Sequence, residues 1–156
     1  MKKILKIILV VLLVGLIVIQ FFKPARNAAP EIATNQIEAS YSVPNDVKDV
    51  LKVSCYDCHS NTTLYPWYSN IQPGGWLLAN HVKNGRSALN FSEFGSYSQR
   101  KQTSKLKAIV NSLNDGTMPL KSYSLIHRDA RLTNDEKTLI INWATGQESN
   151  LMHRIN

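Results

Sequence analysis

The stretch Cys55-Tyr56-Asp57-Cys58-His59 decides how this chain is read. It has the C-x-x-C-H spacing of a c-type haem attachment site. The chemistry explains the spacing. Two thiols add across the two vinyl groups of one haem, and the adjacent histidine falls under the iron as its proximal ligand. The chain contains two cysteines, and both lie in this motif. A thioredoxin-like redox pair wants a preceding strand and a βαβ setting, whereas the preceding segment reads as helix. A structural zinc site needs about four protein ligands, and neither a second C-x-x-C nor an H-x-x-x-H pair accompanies the first.

Working outward, Pro44-Asn45-Asp46 opens a helical signal, and Val47, Val50 and Leu51 follow at helical spacing into Cys55. After His59, the run Tyr65-Pro66-Trp67-Tyr68 predicts a loop packed over something large and flat, with Trp67 as a candidate haem contact. Pro73 suits a first helical position. The helix continues through Trp76, Leu77, Leu78, His81 and Val82, with Gly85 as its expected C-cap. Leu77 and His81, four apart, share a face that would turn inward. Arg86 is a candidate partner for a haem propionate, because a guanidinium grips carboxylates in a fork. Residues 87–98 read as a packed loop. Leu106, Ile109, Val110 and Leu113 mark a helix over residues 100–114, ended by Gly116.

Thr117-Met118-Pro119 then offers a soft thioether on a stiffened loop, 59 residues beyond His59. Met118 is the expected distal iron ligand, with His81 the alternative and His127 a further candidate. Thr133-Asn134-Asp135-Glu136 is a capping box. Leu139, Ile140 and Trp143 give the next helix an apolar face, Gly146 is expected to close it, and residues 147–156 form a polar tail.

The N-terminus reads differently. Residues 1–23 carry four lysines and no acid, and Ile4 to Phe22 is apolar apart from Lys6 and Gln20. As a helix this run would be about 28 Å long, against a hydrocarbon core of about 30 Å. The expectation is an uncleaved transmembrane signal-anchor, with its lysines holding that end in the cytoplasm. Residues 24–41 are expected to be a flexible linker and residues 42–146 one domain. The net charge is +7. Without residues 1–23 the chain has 14 basic and 11 acidic residues, scattered without a run, so no nucleic-acid partner is implied.

Together these features resemble a small class I cytochrome c. More narrowly they resemble the bacterial haem-binding domain family, which pairs C-x-x-C-H-S-N with Y-P-W-Y, H-V-x-x-G-R, L-N-F-S and M-P-x-x-x-Y. Here these elements are Cys55 to Asn61, Tyr65 to Tyr68, His81 to Arg86, Leu89 to Ser92 and Met118 to Tyr123. The resemblance implies an all-α domain around one covalent haem c, and a role in electron transfer or redox sensing. Its H-V-x-x-G-R element keeps His81 in play. The expected function is that of a one-electron carrier, not an enzyme, held at a bacterial inner membrane with its domain in the periplasm and serving unidentified redox proteins. A haem-based redox or small-ligand sensor, or an accessory haem domain of a peroxidase-type system, is the alternative.

Overall fold

The computed structural model describes residues 1–155, and it is all-helical: no strand occurs among them. The helices are α1 (Lys2–Ile19), α2 (Ile37–Ser40), α3 (Asn45–Ser54), α4 (Tyr56–His59), α5 (Gly74–Ala88), α6 (Gln99–Asn114), α7 (Lys121–Ile126) and α8 (Asn134–Ile155). A 3-10 segment, Phe91–Ser96, joins α5 to α6.

The main core forms where α3 and α6 meet α8. Val47, Leu51, Leu106, Leu113, Ile140 and Trp143 are buried there, with Phe91 and Phe94 filling the space beside them. The Trp143 indole N–H donates to the Ser42 carbonyl (3.1 Å), which fastens α8 beside the start of α3. A second, smaller cluster gathers Leu78, Val82, Tyr123 and Ala130. The short α4 lies at the seam, since Cys55 packs on the first cluster and Cys58 on the second. Each apolar stripe follows the 3.6-residue period of its helix.

Several expectations are corrected. The buried stripe of α5 is Gly75, Leu78, Val82 and Gly85. Leu77 is exposed and His81 only partly buried, so the face they share does not enter the core. Gly85 does not cap α5, which runs through it to Ala88. A Cβ at Gly85 would sit 2.5 Å from the Cys58 carbonyl oxygen and 3.0 Å from the Cys58 Cβ. This glycine exists for close packing and not for a helix stop. Gly146 likewise does not end α8, which continues to Ile155 and buries Leu151 in the core. The predicted polar tail is therefore helix through Ile155; Asn156 lies outside the described residues.

Residues 24–41, expected to be a linker, lie against the domain. Asn27 is buried, and its Nδ2 donates to the Ser60 carbonyl and to Thr63 Oγ1. Ile37 is fully buried, and a Cβ on Gly95 would meet Ser40 Oγ at 2.6 Å. Glu31 accepts from Ser92 Oγ, and Glu38 accepts from the Tyr56 hydroxyl, both at 3.0 Å.

The expected transmembrane helix over residues 1–23 is also corrected. Helix α1 has 18 residues and includes Lys2, Lys3 and Lys6. That leaves an uncharged run from Ile7 to Ile19, about 20 Å long. Among the described residues no helix is long and apolar enough to cross a membrane.

Candidate functional site: an apolar cavity between His59 and Met118

A cavity of about 200 Å3 opens beside the main core. From α3 and α4 come Leu51, Cys55 and His59. From α6 and the loop after it come Ile109, Ser112, Met118 and Pro119. Leu89, Phe91 and Ile140 complete the apolar wall. The histidine of the C-x-x-C-H motif and the methionine 59 residues later thus share one pocket.

Local structure explains how each gets there. Leu51 to Ser54 are helical, and the chain breaks at Cys55 (φ −127°, ψ −40°) before α4 begins, which presents His59 at the end of a single helical turn. The His59 Nδ1 lies 3.0 Å from the Leu89 carbonyl, an acceptor only. Nδ1 therefore carries the proton, and Nε2 keeps its lone pair for a metal. Burial is the main influence on this imidazole and holds it below its ordinary pKa, against the raising effect of the backbone hydrogen bonds. Phe91 packs edge-on to the ring, with centroids 6.4 Å apart.

Met118 is delivered by a Schellman turn. Gly116 takes φ +63°, the left-handed region that glycine enters without steric cost. The Thr117 N–H reaches the Ser112 carbonyl (3.0 Å) and the Gly116 N–H reaches that of Leu113 (3.3 Å), closing α6 and reversing the chain.

The cysteines are partly buried free thiols. Burial pushes Cys55 up to about 12, with a smaller push from Cys58, and raises Cys58 to about 11, with Asp57 adding to it. Both stay protonated at neutral pH, unlike the low-pKa thiolate of a redox-exchange site. Among the described residues no three His, Cys, Asp or Glu side chains are placed to hold a metal ion, as a structural zinc site would require. An imidazole with a free Nε2 and a thioether sulfur, both lining one apolar pocket, are donors that would suit a haem iron.

Other candidates lie elsewhere. Cys58 does not line the cavity and packs on the Leu78 and Tyr123 cluster. Trp67 is 76% exposed. His81 is partly buried on α5 and does not line the cavity. Arg86 faces a separate cleft with Arg26, Lys83 and Glu93, and its Nη2 donates to Asn61 Oδ1 (2.9 Å). His127 stacks on Tyr123 with centroids 4.1 Å apart, and its Nε2 is 2.7 Å from the Tyr68 hydroxyl. Lys105, which sequence reasoning passed over, is the one ammonium among the described lining residues. It lies on α6, one residue from the buried Leu106, so the amphipathic period of that helix was the signal that could have found it.

A small helical domain with this pocket is of the haem-binding class. The chain belongs to the haem-binding domain family, whose model matches residues 14–146. No curated protein and no solved structure matches it.

Proposed function

We propose that the protein is a c-type cytochrome that carries single electrons. One haem is held covalently by Cys55 and Cys58, with His59 as proximal and Met118 as distal ligand. The observation that carries this reading is the shared cavity of Cys55, His59 and Met118, inside a family match that covers most of the chain. When bound, haem supplies a one-electron ferric–ferrous couple, and thioether ligation raises its potential relative to two histidines.

The chain's own residues serve that role simply. The Leu89 carbonyl orients the His59 imidazole. Leu51, Phe91, Ile109 and Ile140 exclude water from the pocket. Lys105 is suited to a carboxylate of the bound group. A second axial donor in the same pocket favours the carrier over a sensor or a peroxidase, both of which need an open position. Covalent attachment of haem to C-x-x-C-H is chemistry of the exported side of a bacterial membrane, and the exposed apolar α1 suits attachment of the domain to that membrane.

The test is expression in a host that matures c-type cytochromes. The intact mass should exceed that of the polypeptide by one haem. The oxidised protein should be low-spin and show the long-wavelength sulfur-to-iron band, and Met118→Ala should abolish that band while keeping the one-haem excess over its own polypeptide mass. A product weighing only its amino acids refutes covalent attachment. A Met118→Ala spectrum identical to the parent's refutes the ligand assignment.

A further inference from the structure

Every apolar side chain of α1 from Ile4 to Val18 is exposed, on all sides of the helix. A partner helix would need one stripe; an apolar surface all round suits lipid. The end of α1 is not joined to the domain by slack chain. The Gln20 side chain clasps the backbone of Gln72, with Nε2 donating to the carbonyl (3.1 Å) and Oε1 accepting from the N–H (2.8 Å). Trp76 Nε1 donates to the Phe22 carbonyl (2.7 Å). Around this joint lie Phe21, Phe22, Ile71 and Leu77, each more than half exposed, with Trp76 at 39%. Lys23 and Arg26 follow in the sequence, and the Arg26 guanidinium donates to Asn70 Oδ1 (2.8 Å), next to Ile71.

We propose that this collar is a lipid-seating surface. The haem domain rests directly on an anionic bilayer surface, with Trp76, Leu77, Ile71, Phe21 and Phe22 at headgroup depth, and the Gln20–Gln72 clasp holds it in one orientation. The inference rests on the membrane attachment put forward above and adds the face and the fixed geometry. Aromatic side chains favour the membrane–water boundary because one end is apolar and the other can hydrogen-bond. Lys23 and Arg26 complement anionic phosphates beside them. The geometry has a consequence for the cavity. Helix α5 starts in the collar and ends at Ala88, which lines the cavity. Its 15 residues make a spacer of about 21 Å. The cavity thus stands off the lipid, open to a soluble redox partner approaching from the aqueous side.

The test uses the full chain in vesicles of phosphatidylcholine and phosphatidylglycerol. They contain a phosphatidylcholine with a photoactivatable diazirine at the top of its acyl chain. Lipid adducts are mapped by mass spectrometry, with no reliance on haem. Adducts should appear on the peptide spanning residues 71–77 as well as on α1. The pair Gln20→Leu with Trp76→Phe, which removes the clasp and keeps the surface apolar, should lower labelling of residues 71–77 by at least about fivefold while α1 stays labelled. Adducts confined to α1 overturn the seating surface but leave membrane attachment standing. A chain that stays in the supernatant unlabelled overturns both. Unchanged labelling in the double variant overturns the clasp. Absence of adducts on residues 71–77 that is relieved as the protein is diluted in the vesicles assigns the face to a second copy of this chain and overturns the lipid assignment.

Discussion

Gly85 and Gly146 both lie inside helices, and replacing each by alanine should change stability in opposite directions. Alanine is favoured over glycine in a helix interior by about 0.5–1 kcal/mol, because glycine loses more backbone freedom on folding. At Gly146 nothing lies within 4 Å of the added Cβ, so Gly146→Ala should gain that amount in full. At Gly85 the Cβ would lie 2.5 Å from the Cys58 carbonyl oxygen and 3.1 Å from its carbonyl carbon. Both are backbone atoms, so no side chain can swing aside. Relieving the overlap means parting α5 from α4, and overpacking of this kind costs about 1–3 kcal/mol. Net of the helical gain, Gly85→Ala should lose up to about 2 kcal/mol. The helical gain is common to both variants, so they should differ by the overpacking cost, about 1–3 kcal/mol, or roughly 2–12 °C in melting midpoint for a chain of this size. Thermal and denaturant melts followed by circular dichroism measure both. A Gly85→Ala protein as stable as its Gly146→Ala counterpart would refute the packing of α4 on α5, and with it the seam that places the C-x-x-C-H turn.

Three further outcomes are expected. Tyr123→Phe removes the hydroxyl that donates to Asp57 Oδ2 (2.5 Å), a charge-assisted bond. It should cost about 1.5–3 kcal/mol in urea denaturation, and a loss below about 0.5 kcal/mol would place that bond outside the native ensemble. In the chain before haem attachment, burial keeps His59 below its ordinary value of 6.5, so the folded state binds fewer protons there than the unfolded state. Stability from this group is complete above pH 6.5 and declines as the pH falls below it, a slope that His59→Gln should flatten in denaturant midpoints taken on either side of 6.5. Thr133→Ala deletes the Oγ1 that accepts from the Glu136 N–H (3.2 Å), and should lower stability by about 1 kcal/mol, read as a melting midpoint about 3 °C lower.

Where local rules act alone, the sequence was legible. The Thr133–Glu136 capping box forms reciprocally, with the Thr133 N–H 2.7 Å from Glu136 Oε2. Gly116 ends α6 in the left-handed turn its position suggested. Of the C-x-x-C-H motif, Cys55 and His59 share a cavity with the lone mid-chain methionine, whereas Cys58 does not line it. Each of these rests on contacts within a few residues, or on chemistry that a motif states outright.

The misreadings share a cause. Gly85 and Gly146 look alike in a helical pattern, and both invite a helix stop. What separates them is a neighbour 27 positions earlier in one case and open solvent in the other. Residues 24–41 have the composition of a linker, because their order depends on distant partners: Asn27 on Ser60 and Thr63, Glu31 on Ser92, Glu38 on Tyr56. Composition reports what a segment can bury by itself, and this segment buries little except Ile37. Its polar side chains are instead matched one by one to groups on the folded domain. Holding it there gives the chain between α1 and α3 a defined path. That path puts Glu38 on the Tyr56 hydroxyl and Asn27 on the Ser60 carbonyl, on either side of the turn that carries Cys58 and His59. The strap is thereby part of the frame that holds the site, and Asn27→Ala, which strips two buried hydrogen bonds at once, should loosen that turn more than its distance from the cavity suggests. Faster amide exchange at residues 60–63 in the variant is the expected signature, and protection equal to the parent's would return the strap to the status of a mere connection.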